Sequence, residues 1–390
     1  MFLDPLLPRH AGSDFFCGHV DWLCRGFCFR YFDGFWTHRN RLLKTPSFRR
    51  PKLFGRIREC FVAHPSLKGW VYAIIILVKL WKRRFSYVLY FLKNTPKVLG
   101  YRLFRIKPST KRFWGKTLDL ESTNQTLKDA LDSSKPFSAI RFGAVELSCL
   151  NNHEKIELGW KKKYKESVRY SIKNNAGYFP TDEESLKRYG DVLFPLLQEV
   201  DFLGISGLHM EDYFARYYCP KSFPILYEGM EPLHGDWTTH LKGKKVLVIS
   251  PFKEDILSQY QKRQSLFPKG SDILPEMDLK VIEAPLTFAD ATPTSPSFFD
   301  ELEKMEAQMK ETDFDVLLVG AGAYGSFLAL YAKSLGKQGI QTGGATSTLF
   351  GIMGRRWENR SHVSQYVNEN WIHPTKKVEG FKKVENGAYW

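Results

Sequence analysis

Short apolar runs separated by glycine turns divide the second half of this chain into alternating strands and helices. Lys245-Val-Leu-Val-Ile-Ser250 is a buried strand, and Pro251-Phe252-Lys253-Glu254 turns into a helix reaching Leu266. Lys280 to Ala284 is the next strand, and the amphipathic stretch Phe298 to Lys310 the next helix. Val316 to Val319 is a wholly apolar run of the kind buried on both faces of a parallel sheet. Gly320, Gly322 and Gly325 then form a G-x-G-x-x-G turn, and an Ala/Leu-rich helix runs to Lys333 and stops at Gly336. A further strand, Gln338 to Thr342, ends in Gly343-Gly344.

The same alternation starts earlier with weaker punctuation. Thr123 to Leu131 reads as a helix, and Phe137 to Gly143 as a strand running into Ala144-Val145-Glu146-Leu147. Thr181-Asp182-Glu183-Glu184 is a capping start for a helix through Tyr189, and Asp201 to Ser206 is a second strand. Strands that alternate with helices predict a layered α/β fold, Rossmann-like, with a mostly parallel sheet. The body is expected to span 118–390, in halves of about 118–240 and 241–375.

Charge sets residues 1–117 apart from this body. They hold 24 Lys/Arg and 5 Asp/Glu, a net of +19, whereas the remainder carries 33 against 37, a net of −4. They also contain 24 of the chain's 58 Phe, Trp and Tyr residues. The longest apolar run, Trp70 past Lys79 to Trp81, is about 12 residues, and a spanning helix needs roughly 20. Bulky aromatics beside basic residues suit the headgroup layer of an anionic membrane. A helical extension packed on the body, or a partly disordered arm, explains the same composition. Stacking on nucleic acid is the least favoured use. Six cysteines without paired C-x-x-C spacing and no secretory signal are expected for free thiols in a reducing cytoplasm.

The candidate chemistry lies at two strand ends. Arg141 sits inside the strand that ends at Gly143, and Glu146 follows it, where open α/β sheets place ligands. The later glycine turn, with a helix N-terminus behind it, suits a phosphate-bearing ligand. A dinucleotide fold usually adds an acidic ribose ligand about 20 residues on. Here that place is Gln341-Thr342-Gly343-Gly344, with no Asp or Glu before Glu358, which disfavours NAD. Close helix–sheet packing is the other reading of the glycines. His209, Glu211 and Asp212 form a loop cluster that acts on a substrate or is merely exposed, and Glu228 to His234 adds two carboxylates and a His in an irregular region.

Together the two strand ends resemble bacterial glycosyltransferases of the GT-D fold. In that family an early strand ends in Arg-Phe-Gly-Asp-Gly-Glu, whose two carboxylates bind a nucleotide-sugar diphosphate through a divalent metal. Here the stretch is Arg141-Phe142-Gly143-Ala144-Val145-Glu146, so Ala144 stands where the family has Asp. The late element reads Leu318-Val319-Gly320-Ala321-Gly322, with Gly339 to Gly344 after its helix. Gly343-Gly344-Ala345-Thr346 through Trp357 is closer to a group of functionally undefined bacterial proteins. The resemblance covers about 137–150 and 244–375 and omits the arm.

The resemblance implies catalytic roles for Glu146 and Arg141. It implies nucleotide-sugar contacts from Gly143, Gly320, Gly322, Tyr324, Gly325, Gly343, Gly344 and Thr346. A divalent metal, Mg or Mn, would fall to Glu146 alone. The expected activity is transfer from a nucleotide sugar to a glycan or lipid-linked acceptor in surface polysaccharide or glycoconjugate assembly. It would take place in the cytoplasm, at the inner face of the membrane. The alternatives are a non-catalytic nucleotide- or sugar-binding module and, resting on the glycine turn alone, an NAD(P)-dependent oxidoreductase.

Overall fold

In the computed structural model, which describes residues 67–104, 112–289, 291–384 and 386–390, the apolar runs become the strands of one sheet. Helix α1, Leu67–Phe104, comes first, and a hairpin of β1 (Arg112–Phe113) and β2 (Lys116–Thr117) follows. Helix α2, Leu120–Asp132, leads to β3, Phe137–Arg141. Three helices, α3 (Ala144–Glu157), α4 (Glu166–Ala176) and α5 (Glu183–Leu196), separate β3 from β4, Phe202–Ile205. Helix α6, Glu211–Tyr218, and β5, Phe223–Leu226, complete this half. The second half contains β6 (Lys245–Ser250), α7 (Lys253–Gln261), β7 (Asp278–Glu283), α8 (Phe298–Glu311), β8 (Val316–Val319), α9 (Gly325–Ser334) and β9 (Gln338–Ile340).

The sheet has seven strands in the order β5-β4-β3-β9-β8-β6-β7, and every pairing in it is parallel. The halves meet where β3 lies beside β9, with Ala139 opposite Ile340. Burial on both faces explains the near-continuous apolar strands. Phe137, Ala139, Val246, Val248, Val316, Leu318 and Ile340 share one core with Leu127 and Leu131 of α2 and with Trp237 and Ile256. Alternate positions point to the opposite face, where α9 packs across β3, β8 and β9.

Local chemistry fixes the helix starts. Asp119 accepts the Ser122 N–H at 2.7 Å to begin α2. Asp182 accepts the N–H groups of Glu184 and Ser185 to begin α5, at the capping start read from the sequence. Gly336, at φ 77°, follows α9. Several elements differ from the sequence reading. Ala144 to Leu147 is the first turn of α3 rather than a strand end, and the helix through Tyr189 continues to Leu196. Strand β5 contains Pro224, which has no ladder donor and hides the strand from pattern reading. It is tolerated because β5 is an edge strand.

The apolar run Trp70 to Trp81 lies within helix α1, which docks on the body through Arg83, Arg84 and Tyr87. Among the described residues no helix is long and apolar enough to cross a membrane. The arm's residues 1–66, with Cys17, Cys24, Cys28 and Cys60, lie outside the described residues, as does 105–111. Cys149 and Cys219 are free and buried, and burial pushes both thiols up. Lys161, Lys162 and Lys163 are exposed, in the loop between α3 and α4 rather than on a helix face.

Candidate active site

The C-terminal ends of β3, β6, β8 and β9 and the loop after β4 open into one cavity of about 280 Å³. Arg141 closes β3 and Ser250 closes β6, while Ser206, Gly320 and Gly343 follow β4, β8 and β9. This is the crevice that a doubly wound sheet leaves where its halves adjoin. Arg141, Gly143 and Glu146 therefore share a pocket with Gly320, Gly322, Gly325, Gly343, Gly344 and Thr346. Tyr324 is the exception. It does not line the cavity, is 2% exposed, and stacks on Phe298 with ring centroids 4.1 Å apart. Its place in the G-x-G-x-x-G turn points it into the aromatic core behind the site.

The glycines make room for neighbouring protein atoms. A Cβ on Gly320 would stand 2.4 Å from Thr346 Oγ1, one on Gly325 would stand 2.7 Å from Gln341 Nε2, and one on Gly322 would stand 2.6 Å from the Ala176 carbonyl oxygen. Gly322 also has φ 52°, so the turn needs glycine on two counts. Gly343 and Gly344 do the same for Arg141 and Tyr389. A Cβ on Gly343 would meet Arg141 Nη2 at 2.2 Å, and one on Gly344 would meet the Tyr389 ring at 2.6 Å. Thr346 donates its hydroxyl to the Gly343 carbonyl at 2.6 Å, which braces that turn.

Glu146 is placed by its helix. It lies in the first turn of α3, three residues after the N-cap Gly143, and its carboxylate folds back over that glycine. A Cβ on Gly143 would stand 2.0 Å from Glu146 Oε2. This is the position from which a capping-box carboxylate faces the helix N-terminus.

Two guanidinium groups oppose this one carboxylate side chain on the cavity wall. Arg141 lies with Cζ 4.7 Å from the Tyr227 ring centroid, and Arg356 lies 4.9 Å from that of Tyr389. The Arg141 main-chain N–H is bonded to Gln341 Oε1 at 3.1 Å, whereas its side-chain Nε is buried with no protein acceptor. Burial pushes the Tyr227 hydroxyl up to about 12, against the opposing pull of Arg141. Burial also works to raise the Glu231 carboxyl, but hydrogen bonds from His234 and Tyr227 outweigh it and hold the group below its usual value.

A divalent metal finds few ligands here. Glu146 offers one carboxylate and Ala144 offers none. Among the described residues, two sets of three ligand-type groups lie within 4.8 Å of one another, Glu231–His234–His362 and His153–Glu157–Asp191, and neither includes Glu146. Two imidazoles and a carboxylate are a transition-metal set by type. The His234 and His362 rings, however, stack 3.5 Å apart at 21°. Nearly parallel rings cannot both point an in-plane lone pair at one ion, so this set reads as a hydrogen-bonded cluster beneath Tyr227. His153 is bonded through Nδ1 to the Tyr164 hydroxyl at 2.6 Å and belongs to the core.

The loop cluster is structural. Glu211 accepts the N–H groups of Ser206, Gly207 and Leu208, the Gly207 bond at 2.7 Å, and so shapes a loop on the cavity wall. Burial pushes its carboxyl up to about 7 against those bonds. Asp212 receives Lys93 at 3.0 Å and Asn94 at 2.8 Å from α1. His209 meets Phe91 edge to face at 5.9 Å. Sequence reasoning missed Tyr227, Arg356, Tyr389 and Trp390, which also line the cavity. The Arg355-Arg356 pair and the terminal Tyr-Trp were the visible signals, but nothing local joins them. No family model, curated protein or solved structure matches the chain.

Proposed function

We propose that this cavity holds the nucleotide-sugar donor of a glycosyltransferase that acts in bacterial surface polysaccharide or glycoconjugate assembly. One observation carries the reading. Arg141, Glu146 and the two late glycine turns, distant in sequence, line a single crevice at the C-terminal ends of parallel strands. Its size of about 280 Å³ is at the low end for ligand pockets. That space suits the diphosphate and the sugar, with the nucleoside reaching outward.

Glycosyl transfer requires that the bond from the anomeric carbon to the diphosphate oxygen break as the acceptor oxygen attacks. Negative charge develops on the leaving diphosphate, and fixed positive groups there lower the barrier. Arg141 faces the place where that charge would grow. Glu146, held at the start of α3, takes the acceptor's proton as general base. A non-catalytic nucleotide- or sugar-binding module is the second reading, and Ala144 in place of a second carboxylate favours it. The oxidoreductase reading weakens, because no Asp or Glu follows β9 before Glu358 to bind a ribose.

The exposed face of α1 supports a site of action at an anionic membrane surface, near a lipid-linked acceptor. Val71, Ile74, Val78, Trp81, Phe85 and Leu92 are exposed along it, beside Lys79 and Lys82. The experiment on the cavity is a thermal-shift screen of the full chain against nucleoside diphosphates, nucleotide sugars and NAD(P). A ligand that binds only the folded state raises the transition by mass action. Stabilisation by a diphosphate or nucleotide sugar is expected. Glu146→Gln is expected to keep that shift while losing transfer to acceptor. A response to NAD(P) alone, or to none of these ligands, would sink the reading.

A further inference from the structure

We infer that Arg141 and Arg356 form a two-guanidinium clamp for the donor's diphosphate, each seated against a tyrosine ring, so that the site needs no divalent cation. The inference rests on the reading of the cavity as a nucleotide-sugar site and adds a charge partner to it. Its starting point is a mismatch between ligand set and metal. Glu146 is the only carboxylate side chain among the lining residues, and Ala144 occupies the position from which a second would come. A magnesium-type ion is usually held by one or two carboxylates together with substrate phosphates, which leaves this wall at the lower limit. Two guanidinium groups supply the missing positive charge directly.

The surrounding structure is shaped around both groups. Gly343, at φ 61°, leaves the space that Arg141 Nη2 fills, and the next residue, Gly344, leaves the space for the Tyr389 ring under Arg356. Consecutive glycines thus seat two Arg–Tyr pairs. Backbone bonds hold the second pair in register. Arg356 N–H donates to the Ala388 carbonyl at 3.0 Å, and Arg355 N–H to that of Trp390 at 3.2 Å. Both guanidinium groups lie near enough to the Tyr227 hydroxyl to act on it electrostatically. Arg141 Nε, buried without a protein acceptor, is a donor that a phosphate oxygen would satisfy. A planar fork matches two phosphate oxygens at once, which an ammonium group cannot do. Tyr227 and Tyr389 act through the arginines and are positioning residues.

The test uses inorganic pyrophosphate, the bare diphosphate, and UDP as calorimetric probes of the full chain, each in EDTA and in magnesium. The wild type is expected to bind in EDTA within about twofold of its affinity in magnesium. Arg356→Met is expected to weaken both probes by about tenfold or more, the scale of lost charge-assisted hydrogen bonds. Arg356→Lys should recover only part, because the charge returns without the fork. Arg355→Met, at the exposed neighbouring position, should change neither. Arg141→Lys should behave as Arg356→Lys does, and melting curves show that each variant is folded. Binding that disappears in EDTA and returns with magnesium would overturn the clamp while leaving the donor pocket intact. Equal weakening by Arg355→Met and Arg356→Met would overturn it as well, by reducing it to general surface charge. If the wild type bound neither probe under either condition, the clamp and the donor reading would both fall.

Discussion

Helix α1 and strand β8 are both apolar stretches, and they use that character in opposite ways. Val316 to Val319 of β8 are all fully buried, so the strand is held by apolar contact on both faces. Helix α1 turns Trp81 and Leu92 outward, 66% and 61% exposed, and keeps Tyr87 and Asn94 inward, each at 2%. Its anchors are polar. Arg83 reaches Glu154, which has no exposure, and that carboxylate also accepts the Tyr218 hydroxyl at 2.6 Å. Arg84 donates to the Leu158 carbonyl at 2.9 Å through Nε, and Tyr87 to Asn151 at 2.6 Å. A surface helix of a globular protein normally does the reverse, with the apolar stripe facing the core. Hydrophobicity alone therefore does not say which way a segment faces. The partner available to each polar group decides it.

Breaking the charged anchor should produce the largest effect. Arg83→Met leaves Glu154 buried with its cation gone, a loss of about 3–5 kcal/mol by the general cost of orphaning a buried charge. Urea unfolding and limited proteolysis are expected to show lower stability and early cleavage within α1. A loss under about 1 kcal/mol would mean that the helix is held by apolar contact after all.

The next effect is pH-dependent and concerns the loop that Glu211 shapes beside the cavity. Its folded value of about 7 lies above the ordinary 4.5, so the folded state holds this proton more tightly than the unfolded chain does. The group's contribution to stability is therefore complete below about pH 4.5 and is lost as pH rises through about 7. The loss is on the order of 3 kcal/mol. Glu211→Gln should flatten that part of the stability–pH curve. An unchanged slope between pH 4.5 and 7 would show that the group titrates normally.

The smallest stability effect sharpens the contrast most. Trp81→Ser and Phe85→Ser, on the exposed face, should each change stability by about 0.5 kcal/mol or less, whereas Leu318→Ala in β8 should cost about 3 kcal/mol. The same two surface changes should weaken binding to anionic vesicles, and added salt should weaken it further. Stability losses near the Leu318→Ala value would show a packed face. Unchanged vesicle binding would remove the membrane role from α1.

The sequence by itself determined the periodic parts of this protein. Fully apolar runs such as Val316 to Val319 can be stable only when covered on both sides, and caps such as Asp182 act within one turn. The layered α/β class was legible for that reason, whereas the pairing of Glu146 with the glycine turns was only implied by the family resemblance. Tertiary structure decided whatever depends on which distant groups meet. Pattern could not show that Gly343 yields its space to Arg141, that Gly322 packs on Ala176, or that Tyr324 turns into the core. Arg356 and Tyr389 reach the cavity only because the tail bonds back onto Arg355 and Arg356. Local propensity is set by neighbours a few residues away. A binding wall is set by side chains that only the closed sheet brings within a few ångströms of each other.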